Sequence, residues 1–358
     1  MQRQFQTNIL GMALYFGSKA LSKFDSLLQK GNYSKLFILC DENTHEDCLP
    51  TFLQNFPNLP PLEILEIEAG EESKSLSVLE QLWHSLSELE ADRHSLILNL
   101  GGGVVSDLGG FMAATYMRGI PFVNFPTSLL AMVDASVGAK TGINFGPFKN
   151  RLGAFADAQL IGIVPEFLET LSNEELLSGW AEMLKHGLIA SPQHFQEIKN
   201  LDSRRPIPTL TQIKASVAIK EQIVKNDPRE MGERKILNFG HTFGHALESY
   251  SHLQEAPLSH GHCVALGMMV ALDISVKHCG FASAEAKKIQ HFLREAYAWP
   301  NFELDRDAIF KLVSGDKKNR GSSINMVLLK SIGEALYNCE IEFESIWMSY
   351  QNLVNGAD

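Results

Sequence analysis

Residues 95–107 have the sequence SLILNLGGGVVSD, in which a short apolar run leads directly into three glycines. Such a run, bounded by polar sequence, is typical of a buried parallel strand. Glycines between a strand and a helix let a phosphate approach the N–H groups of the helix N-terminus. The turn is neither GxGxxG nor a P-loop, because no GK[ST] follows. The pattern favours nucleotide binding over a plain strand-to-helix connection.

Strands and helices alternate around this turn and then give way to helices alone. Strands are predicted at Leu36–Cys40, Leu62–Ile67, Ser95–Leu100 and Pro121–Phe125, with a helix at Ser77–Leu89. Further helices are predicted at Glu174–Ile189, Thr209–Lys225, Gly240–Ser249, His260–His278 and Ala282–Ala296, and strand-like sequence returns at Ile324–Leu329. We therefore predict a Rossmann-like α/β nucleotide-binding domain at 1–165 and an all-α domain at 166–358. The active site is expected in the cleft between them.

The composition excludes several classes of function. The 358 residues are 45% hydrophobic and 20% charged, as in ordinary soluble proteins, and the net charge of -11 argues against nucleic acid or anionic membranes as partners. Five scattered cysteines without a CxxC pair predict reduced thiols in the cytoplasm. No signal peptide is apparent, and the apolar run Cys263–Leu272 is too short to span a membrane and predicts a buried helix.

Three segments of the second part carry potential metal ligands in apolar surroundings. They are residues 180–186 (WAEMLKH), 238–245 (NFGHTFGH) and 258–262 (LSHGH). Glu182 and Lys185 share one helix face, and His241 and His245 stand four residues apart. A Glu with two or three His residues suits Zn²⁺ or a similar ion and leaves a position for substrate. The spacing does not decide which histidines are ligands, and helix-packing or surface histidines remain the alternative.

Basic residues interrupt apolar or glycine-rich sequence at several places in this acidic chain. They are Arg118, Lys140, Lys149, Lys220, Arg234 and the tract Asp316–Asn319. Cations in such surroundings need anionic partners, which a phosphate or a carboxylate supplies. Ordinary solvated charge is the alternative, and it suits Lys317 and Lys318 better than Lys140 and Arg118. Asp41, Glu71 and Lys74 follow predicted strands, where they could reach a bound nucleotide.

Together these segments resemble the 3-dehydroquinate synthase family of sugar phosphate cyclases, from about Leu36 to Leu329. The resemblance is carried by GGGVVSD (101–107), ATYMRG (114–119), LNFGHTFGH (237–245) and HGHCVALGM (260–268). It implies a lyase that converts 3-deoxy-D-arabino-heptulosonate 7-phosphate to 3-dehydroquinate and phosphate in the shikimate pathway. The implied steps are transient oxidation by NAD, β-elimination of phosphate, reduction, ring opening and aldol closure, with one divalent metal ion, Zn²⁺ or Co²⁺.

The resemblance also implies roles for individual residues. The metal ligands would be Glu182, His241 and His260, and the catalytic residues His245, Lys185, Asp134 and Glu230. The substrate would be bound by Arg118, Lys140, Asn150, Lys220, Arg234, Asn238 and one of Lys317 and Lys318. NAD would be bound by Asp41, Glu71, Lys74, Gly102, Gly103, Val104, Asp107, Thr127, Ser128, Lys140, Lys149, Phe167, Thr170 and Leu171. Arg118 would reach the neighbouring subunit's site in a cytoplasmic homodimer.

The chain departs from the family pattern at a few positions. His262 stands where Glu or Asp is usual, Ser106 and Ala139 replace glycines, and Ser128 replaces a threonine. None of these changes removes an implied ligand or cation. We expect His262 to alter the metal affinity or the pH profile.

Three alternatives remain. A related sugar phosphate cyclase would act on a substrate without the carboxylate, and Lys220, Arg234, Asn238 and His245 argue against it. An NAD- and metal-dependent polyol dehydrogenase would release NADH and would not need two anion-binding clusters. A nucleotide- or metal-binding relative without catalysis would show a damaged set of site residues, whereas the set in this chain is intact.

Overall fold

The computed structural model describes residues 7–9, 12–146, 148–314 and 323–356. The chain divides into two compact units. The first comprises the residues up to Ser172 together with Thr209–Val217, and the second comprises Asn173–Pro208 and the residues from Ala218 onwards. The sequence-based boundary at residue 165 falls slightly before Ser172. Residues 209–217 were also predicted to lie in the second domain, whereas they belong to the first unit.

The first unit is built on a seven-stranded sheet with the order β1-β2-β9-β6-β5-β3-β4. The strands of this unit are β1 (Thr7–Ile9), β2 (Met12–Phe16), β3 (Leu36–Asp41), β4 (Leu62–Ile67), β5 (Leu96–Gly101), β6 (Phe122–Pro126), β7 (Lys140–Phe145), β8 (Phe148–Phe155) and β9 (Leu160–Ile163). Apart from the antiparallel pair β1–β2, all neighbours in this sheet run parallel. Every residue of β5 is buried, as its continuous apolar run predicts. The predicted α/β sheet is confirmed.

Helices pack around this sheet, and two strands form a separate hairpin. The helices are α1 (Ser18–Gly31), α2 (Glu42–Asp47), α3 (Leu49–Leu53), α4 (Leu76–Glu88) and α5 (Gly103–Thr115). Among the described residues, strands β7 and β8 pair only with each other, in antiparallel register from Lys140 opposite Phe155 to Phe145 opposite Phe148. The hairpin therefore stands outside the main sheet.

The second unit is mainly helical. Its elements are α6 (Asn173–Ala190), α7 (Pro192–Lys199), α8 (Leu210–Asn226, which begins in the first unit), α9 (His241–Ser251), α10 (His260–Cys279), α11 (Ser283–Ala296), α12 (Arg306–Ser314), β10 (Ser323–Ser331), β11 (Glu334–Glu342) and α13 (Phe343–Asn355). The antiparallel pair β10–β11 corrects the expectation of an all-α domain. Strand β10 contains the predicted segment Ile324–Leu329, whereas β11 was not predicted because Ile341 is its one buried residue.

Helix α10 is the centre of the second unit. All residues from Cys263 to Leu272 are buried, as the apolar run predicts. It is the one helix within the described ranges that is long and apolar enough to cross a membrane, and 67% of its most apolar window is buried inside the protein. Burial of this extent is what a core helix shows.

Helices α9 and α10 approach each other through glycines. A Cβ atom on Gly267 of α10 would lie 1.9 Å from the carbonyl oxygen of Gly240, which precedes α9. Gly240 has a φ of +80°, a conformation that residues with a side chain rarely adopt. A Cβ atom on Gly244 would lie 2.9 Å from the carbonyl oxygen of Cys263. These contacts bring the N-terminal residues of both helices, His241 and His260, close together.

Replacing Gly267 by alanine should therefore destabilise the second unit. The new methyl group would collide with backbone rather than with a flexible side chain, so the two helices must move apart. We expect the Gly267→Ala change to lower the free energy of unfolding by about 2 to 3 kcal/mol, measured by urea denaturation. The control is Gly232→Ala, because the Tyr337 hydroxyl, 3.7 Å away, is the nearest atom to a Cβ there. An equal effect of both changes would contradict the close-packing argument.

A buried histidine on α7 makes the stability sensitive to acid. The His194 side chain is almost completely buried, and neither of its ring nitrogens has a hydrogen-bond partner among the described residues. Burial, with the nearby His186, lowers the pKa of His194 from 6.5 to about 4. The folded protein therefore holds this ring neutral at a pH where the unfolded chain binds a proton.

The His194→Leu variant should lose part of this acid sensitivity. The folded-state pKa of His194 lies below its unfolded value. This histidine therefore does not reduce the free energy of unfolding above pH 6.5, but reduces it progressively as the pH falls towards 4. At pH 4.5 the penalty is about 2 to 3 kcal/mol. Urea denaturation at pH 7 and pH 4.5 should show that the free energy of unfolding falls less between these pH values in His194→Leu than in the wild type. The exposed His84→Leu variant serves as control and should lose as much as the wild type.

Candidate functional site

A glutamate and three histidines meet in the second unit. Glu182 lies in the middle of α6 and is fully buried, while His241 and His260 are the first residues of α9 and α10. The Nε2 atoms of His241 and His260 are each 3.5 Å from Oε1 of Glu182. His245 lies one turn beyond His241, and one ring nitrogen from each of the three histidines lies within 4.8 Å of the others. The sequence-predicted ligands are thus brought together.

On the side away from Glu182, each of these two histidines is held by a hydrogen-bond acceptor. The Nδ1–H group of His241 donates to the carbonyl oxygen of Phe239 at 3.1 Å. The Nδ1–H group of His260 donates to Oε2 of Glu248 at 3.2 Å. With Nδ1–H donating away from the site in both rings, the two Nε2 atoms are directed to the side where Glu182 lies. These two nitrogens and a carboxylate oxygen therefore converge on one point, where a cation can replace a proton held on Nε2. This donor set suits a divalent ion.

The charges around the two histidines differ. Burial, together with the ammonium group of Lys185, lowers the pKa of His241 well below its ordinary value. For His260, burial acts in the same direction, but the carboxylates of Glu248 and Glu182 outweigh it and raise its pKa to about 10. Lys185 is itself buried and contacts Oε2 of Glu182, one helical turn away. Glu182 is thus the negative centre around which the cationic groups of this site gather.

A short loop assembles several of the predicted substrate-binding residues. The buried Arg234 donates through Nη1 to the carbonyl oxygen of Pro228 at 2.6 Å. The amide of Asn238 donates to Oε1 of Glu230 at 2.7 Å. Both residues belong to the short 3₁₀-helix Glu233–Asn238. Lys220 is buried on α8 in the same unit.

Asp227 organises this loop, although no sequence motif marks it. Its carboxylate accepts hydrogen bonds from the backbone N–H groups of Met231, Gly232 and Arg234. Desolvation raises the pKa of Asp227, whereas the three N–H groups lower it, and the net shift is downward. The charged carboxylate therefore fixes the loop that carries Arg234 and Asn238.

The glycine-rich turn in the first unit begins a helix, as predicted. Gly102 precedes α5, and Gly103 and Val104 are in its first turn, so their N–H groups lie at the helix N-terminus. The neighbouring turn, at the end of β6, is hydrogen-bonded to it, because the N–H group of Thr127 donates to the carbonyl oxygen of Gly101 at 3.0 Å. A Cβ atom on Gly102 would lie 3.4 Å from Oγ of Ser128. Two predicted cofactor-binding segments thus lie side by side.

The predicted acidic and basic cofactor contacts already have partners. Lys74 is buried and forms an ion pair with Asp107. Asp41 lies before α2, where its Oδ1 atom accepts from the N–H group of Thr44 at 2.8 Å. Its carboxylate therefore caps a helix as well as standing at the end of β3.

Asn144 joins the hairpin to this part of the first unit. Its side-chain amide donates to Oε1 of Glu71 at 2.8 Å, and its Oδ1 atom accepts from the N–H group of Asn150 at 2.9 Å. Its own N–H group donates to the carbonyl oxygen of Lys74 at 2.9 Å. Lys149 lies 3.9 Å from the same Glu71 oxygen. Asn144 was not predicted, because a single amide in a short strand gives no local signal.

Several predicted site residues adopt strained backbone conformations. Arg118, Asn150 and Glu230 have φ values of +68°, +52° and +57°. Ala139, next to Lys140, has a φ of +59°, a conformation that glycine adopts more readily than alanine. Left-handed conformations of this kind are concentrated at functional sites in proteins.

The remaining predicted residues are less closely grouped. Phe167 packs in an aromatic core with Phe52, so any cofactor contact would involve its backbone. Thr170 is exposed and follows the turn Pro165–Glu169, with Leu171 next to it. Arg118 is exposed after α5, and Asp134 lies in the turn Ala131–Ala135. Lys317 and Lys318 lie outside the described residues.

His262 faces a structural partner. Its Nε2–H group donates to the carbonyl oxygen of Ala298 at 2.6 Å, and its ring meets the edge of Tyr297. These contacts fasten the start of α10 to the loop after α11. The predicted effect of His262 on metal affinity or the pH profile stays a prediction.

Comparison with known proteins covers both halves of the chain. Two family models match, 3-dehydroquinate synthase N-terminal at residues 64–178 and 3-dehydroquinate synthase C-terminal at residues 179–319. A 3-dehydroquinate synthase from Parabacteroides distasonis is 43% identical over 328 residues, which cover 91% of this chain and 93% of the relative. One from Clostridium acetobutylicum is 39% identical over 273 residues, covering 75% and 76%.

Solved structures share the fold at lower identity. The 2-deoxy-scyllo-inosose synthase complexed with carbaglucose-6-phosphate, NAD⁺ and Co²⁺ has a TM-score of 0.84 at 23% identity, covering 95% of this chain and 96% of that one. The 2-epi-5-epi-valiolone synthase from Streptomyces hygroscopicus with NAD⁺ and Zn²⁺ has a TM-score of 0.84 at 24% identity, covering 96% and 97%. An iron-containing alcohol dehydrogenase has a TM-score of 0.66 at 14% identity, covering 97% and 98%. Because both family models match and a relative is 43% identical over 91% of the chain, this chain belongs to the 3-dehydroquinate synthase family.

Proposed function

We propose that this protein is a 3-dehydroquinate synthase, a lyase that converts 3-deoxy-D-arabino-heptulosonate 7-phosphate to 3-dehydroquinate and phosphate. The observation that carries the proposal is the convergence of Glu182, His241 and His260 in a chain of this family. Relatives with this name are 36% to 43% identical over most of the chain. The proposed cofactors are NAD and one Zn²⁺ or Co²⁺ ion, as in the solved cyclases of the same fold.

In this proposal Glu182, His241 and His260 hold the metal ion. The ion would supply Lewis-acid stabilisation of negative charge on a substrate oxygen, and NAD would accept and return a hydride. His245 is adjacent to the ligand histidines, with its ring centroid 4.9 Å from that of His241, where it can move a proton to or from the substrate. Lys185 contacts the Glu182 carboxylate and limits the charge that this carboxylate imposes on the site.

The carboxylate of the substrate is assigned to Lys220, Arg234 and Asn238. Lys220 and Arg234 are buried cations of the second unit, and a carboxylate is a favourable ligand for such groups. The guanidinium of Arg234 has five donors, so it can bind a carboxylate in a bidentate manner while keeping its bond to Pro228. Glu230 holds the amide of Asn238 and thereby sets the direction of this side chain.

The phosphate of the substrate is assigned to Lys140 and Asn150, with one of Lys317 and Lys318. Lys140 begins β7 and Asn150 lies at the start of β8, and Asn144 fixes the backbone of Asn150. Asp134 and Lys149 match further pocket positions of the family.

We also propose a homodimer in which Arg118, exposed after α5, reaches the site of the neighbouring subunit.

NAD is assigned to the turn at Gly102–Val104 with Asp107, Thr127, Ser128 and Lys74. The N–H groups at the start of α5 suit a pyrophosphate, since a helix N-terminus favours negative charge. Asp41, Glu71, Lys140, Lys149 and the backbone of Phe167, Thr170 and Leu171 complete the proposed contacts.

Phosphate release should depend on the metal ion. With 3-deoxy-D-arabino-heptulosonate 7-phosphate, NAD and Co²⁺ or Zn²⁺, we expect release of phosphate, formation of 3-dehydroquinate and no lasting absorbance of NADH. A chelator should abolish release, and added metal should restore it. The fold is shared with alcohol dehydrogenases. Accumulation of NADH from a polyol without phosphate release would therefore replace this proposal with a dehydrogenase.

Substitution of Arg234 should weaken binding of the substrate carboxylate. We expect Arg234→Gln to lower kcat/KM by about 100-fold or more, since a bidentate charge-assisted contact is lost. Arg204→Gln is the matched control, because Arg204 is exposed and pairs only with Asp202 among the described contacts of its side chain. Steady-state kinetics of both variants, with circular dichroism to verify folding, provide the measurement. Equal kinetics of the two variants would contradict the assignment of Arg234.

A further inference from the structure

Glu248 is a buried carboxylate on α9 that none of the assigned roles includes. It is 3% exposed, and its Oε2 atom accepts from Nδ1 of His260 at 3.2 Å. The opposite nitrogen of the same ring, Nε2, lies 3.5 Å from Oε1 of Glu182. Glu248, the His260 ring and Glu182 thus form a line with the imidazole in its middle. A buried carboxylate in this position restricts both the rotation and the tautomer of the ring.

The spacing on α9 explains how Glu248 reaches His260. His241, His245 and Glu248 follow one another at intervals of four and three residues, so they lie along one face of the helix. The first two side chains of this face approach His260 at ring-centroid distances of 5.5 Å and 5.7 Å. Glu248 completes the face two turns beyond His241. One helix therefore supplies both a metal ligand and the group that orients another ligand.

The two ligand histidines are oriented by different kinds of acceptor. His241 is held by the backbone carbonyl oxygen of Phe239, and His260 by the side chain of Glu248. A carboxylate partner increases the basicity of the imidazole and so strengthens its bond to a metal ion. The backbone carbonyl that holds His241 is neutral. Of the two histidines, only His260 therefore gains basicity from a charged hydrogen-bond acceptor.

We propose that Glu248 is a positioning residue for the metal site, which fixes the His260 ring with Nε2 directed at the ion. This inference rests on the metal site in the proposed function. In this role Glu248 contacts neither the substrate nor the ion and acts through the His260 ring. Removal of the carboxylate should free the ring to rotate and should reduce the affinity for the metal, while the other ligands stay in place.

Binding of Co²⁺ to the metal-free protein tests this role without any catalytic assay. The affinity is measured by competition with a chromophoric chelator, and the visible absorption bands of bound Co²⁺ report the ligand geometry. Glu248→Ala should bind Co²⁺ about 10- to 100-fold more weakly than the wild type and should shift these bands. Glu248→Gln, which keeps the shape and an acceptor oxygen but loses the charge, should weaken binding by about 10-fold.

The matched control is Glu221→Gln, because Glu221 is a buried carboxylate of the same unit that pairs with Lys225. It should bind Co²⁺ as the wild type does. Circular dichroism of the metal-free proteins verifies folding, and if Glu248→Ala does not fold, the isosteric Gln variant decides. Wild-type affinity and spectrum in Glu248→Gln and Glu248→Ala would overturn the positioning role alone. A wild-type protein that binds no Co²⁺ would overturn the proposed metal site and this inference with it.

Discussion

The fully buried carboxylate of Glu182 imposes the strongest constraint on the second unit. An ionised group without access to water is strongly unfavourable unless cationic partners surround it. Lys185 on the same helix and two histidines from two other helices supply contacts on different sides of this carboxylate. Helices α6, α9 and α10 must therefore meet at one point, and the remaining elements of the unit pack around that meeting point.

Close packing of α9 and α10 makes this arrangement possible. The carbonyl oxygen of Gly240 occupies the space where any side chain at position 267 would stand. Side-chain ligands need such support, because their positions depend on the backbones that carry them. Likewise, Asp227 and Asn144 accept hydrogen bonds from backbone N–H groups and thereby hold the loops that carry Arg234 and Asn150. The candidate site thus also depends on residues that hold its helices and loops in place.

The sequence predicts the elements with strong apolar patterns and misses those with weak ones. Strand β3 and the helices α6 and α10 were predicted within one or two residues, because their extensive burial leaves a mainly apolar sequence. Strand β11 shows mostly exposed residues, and its edge position leaves no such pattern. The metal-ligand types were visible in the sequence, whereas the choice among three histidines came from the family resemblance.

Residues that act through other residues could not be predicted. Asn144, Asp227 and Glu248 lie in ordinary sequence surroundings, and their roles depend on partners that the fold brings from elsewhere in space. Asn144, for example, meets Glu71, which is 73 positions away. Ala139 was noted as a departure from a usual glycine, but only its φ of +59° gives that departure a physical meaning.

The unequal support of His241 and His260, the two proposed ligand histidines, has a consequence for how the site can evolve. The acceptor for His241 is a main-chain oxygen, which every amino acid at position 239 provides, so substitution cannot readily change it. The acceptor for His260 is a side chain, which a single codon change replaces. Natural drift or laboratory selection for a different metal ion can therefore change the hydrogen-bond acceptor of His260 but not readily that of His241. Variation in metal preference should accordingly concentrate at the acceptor of His260, the first residue of α10.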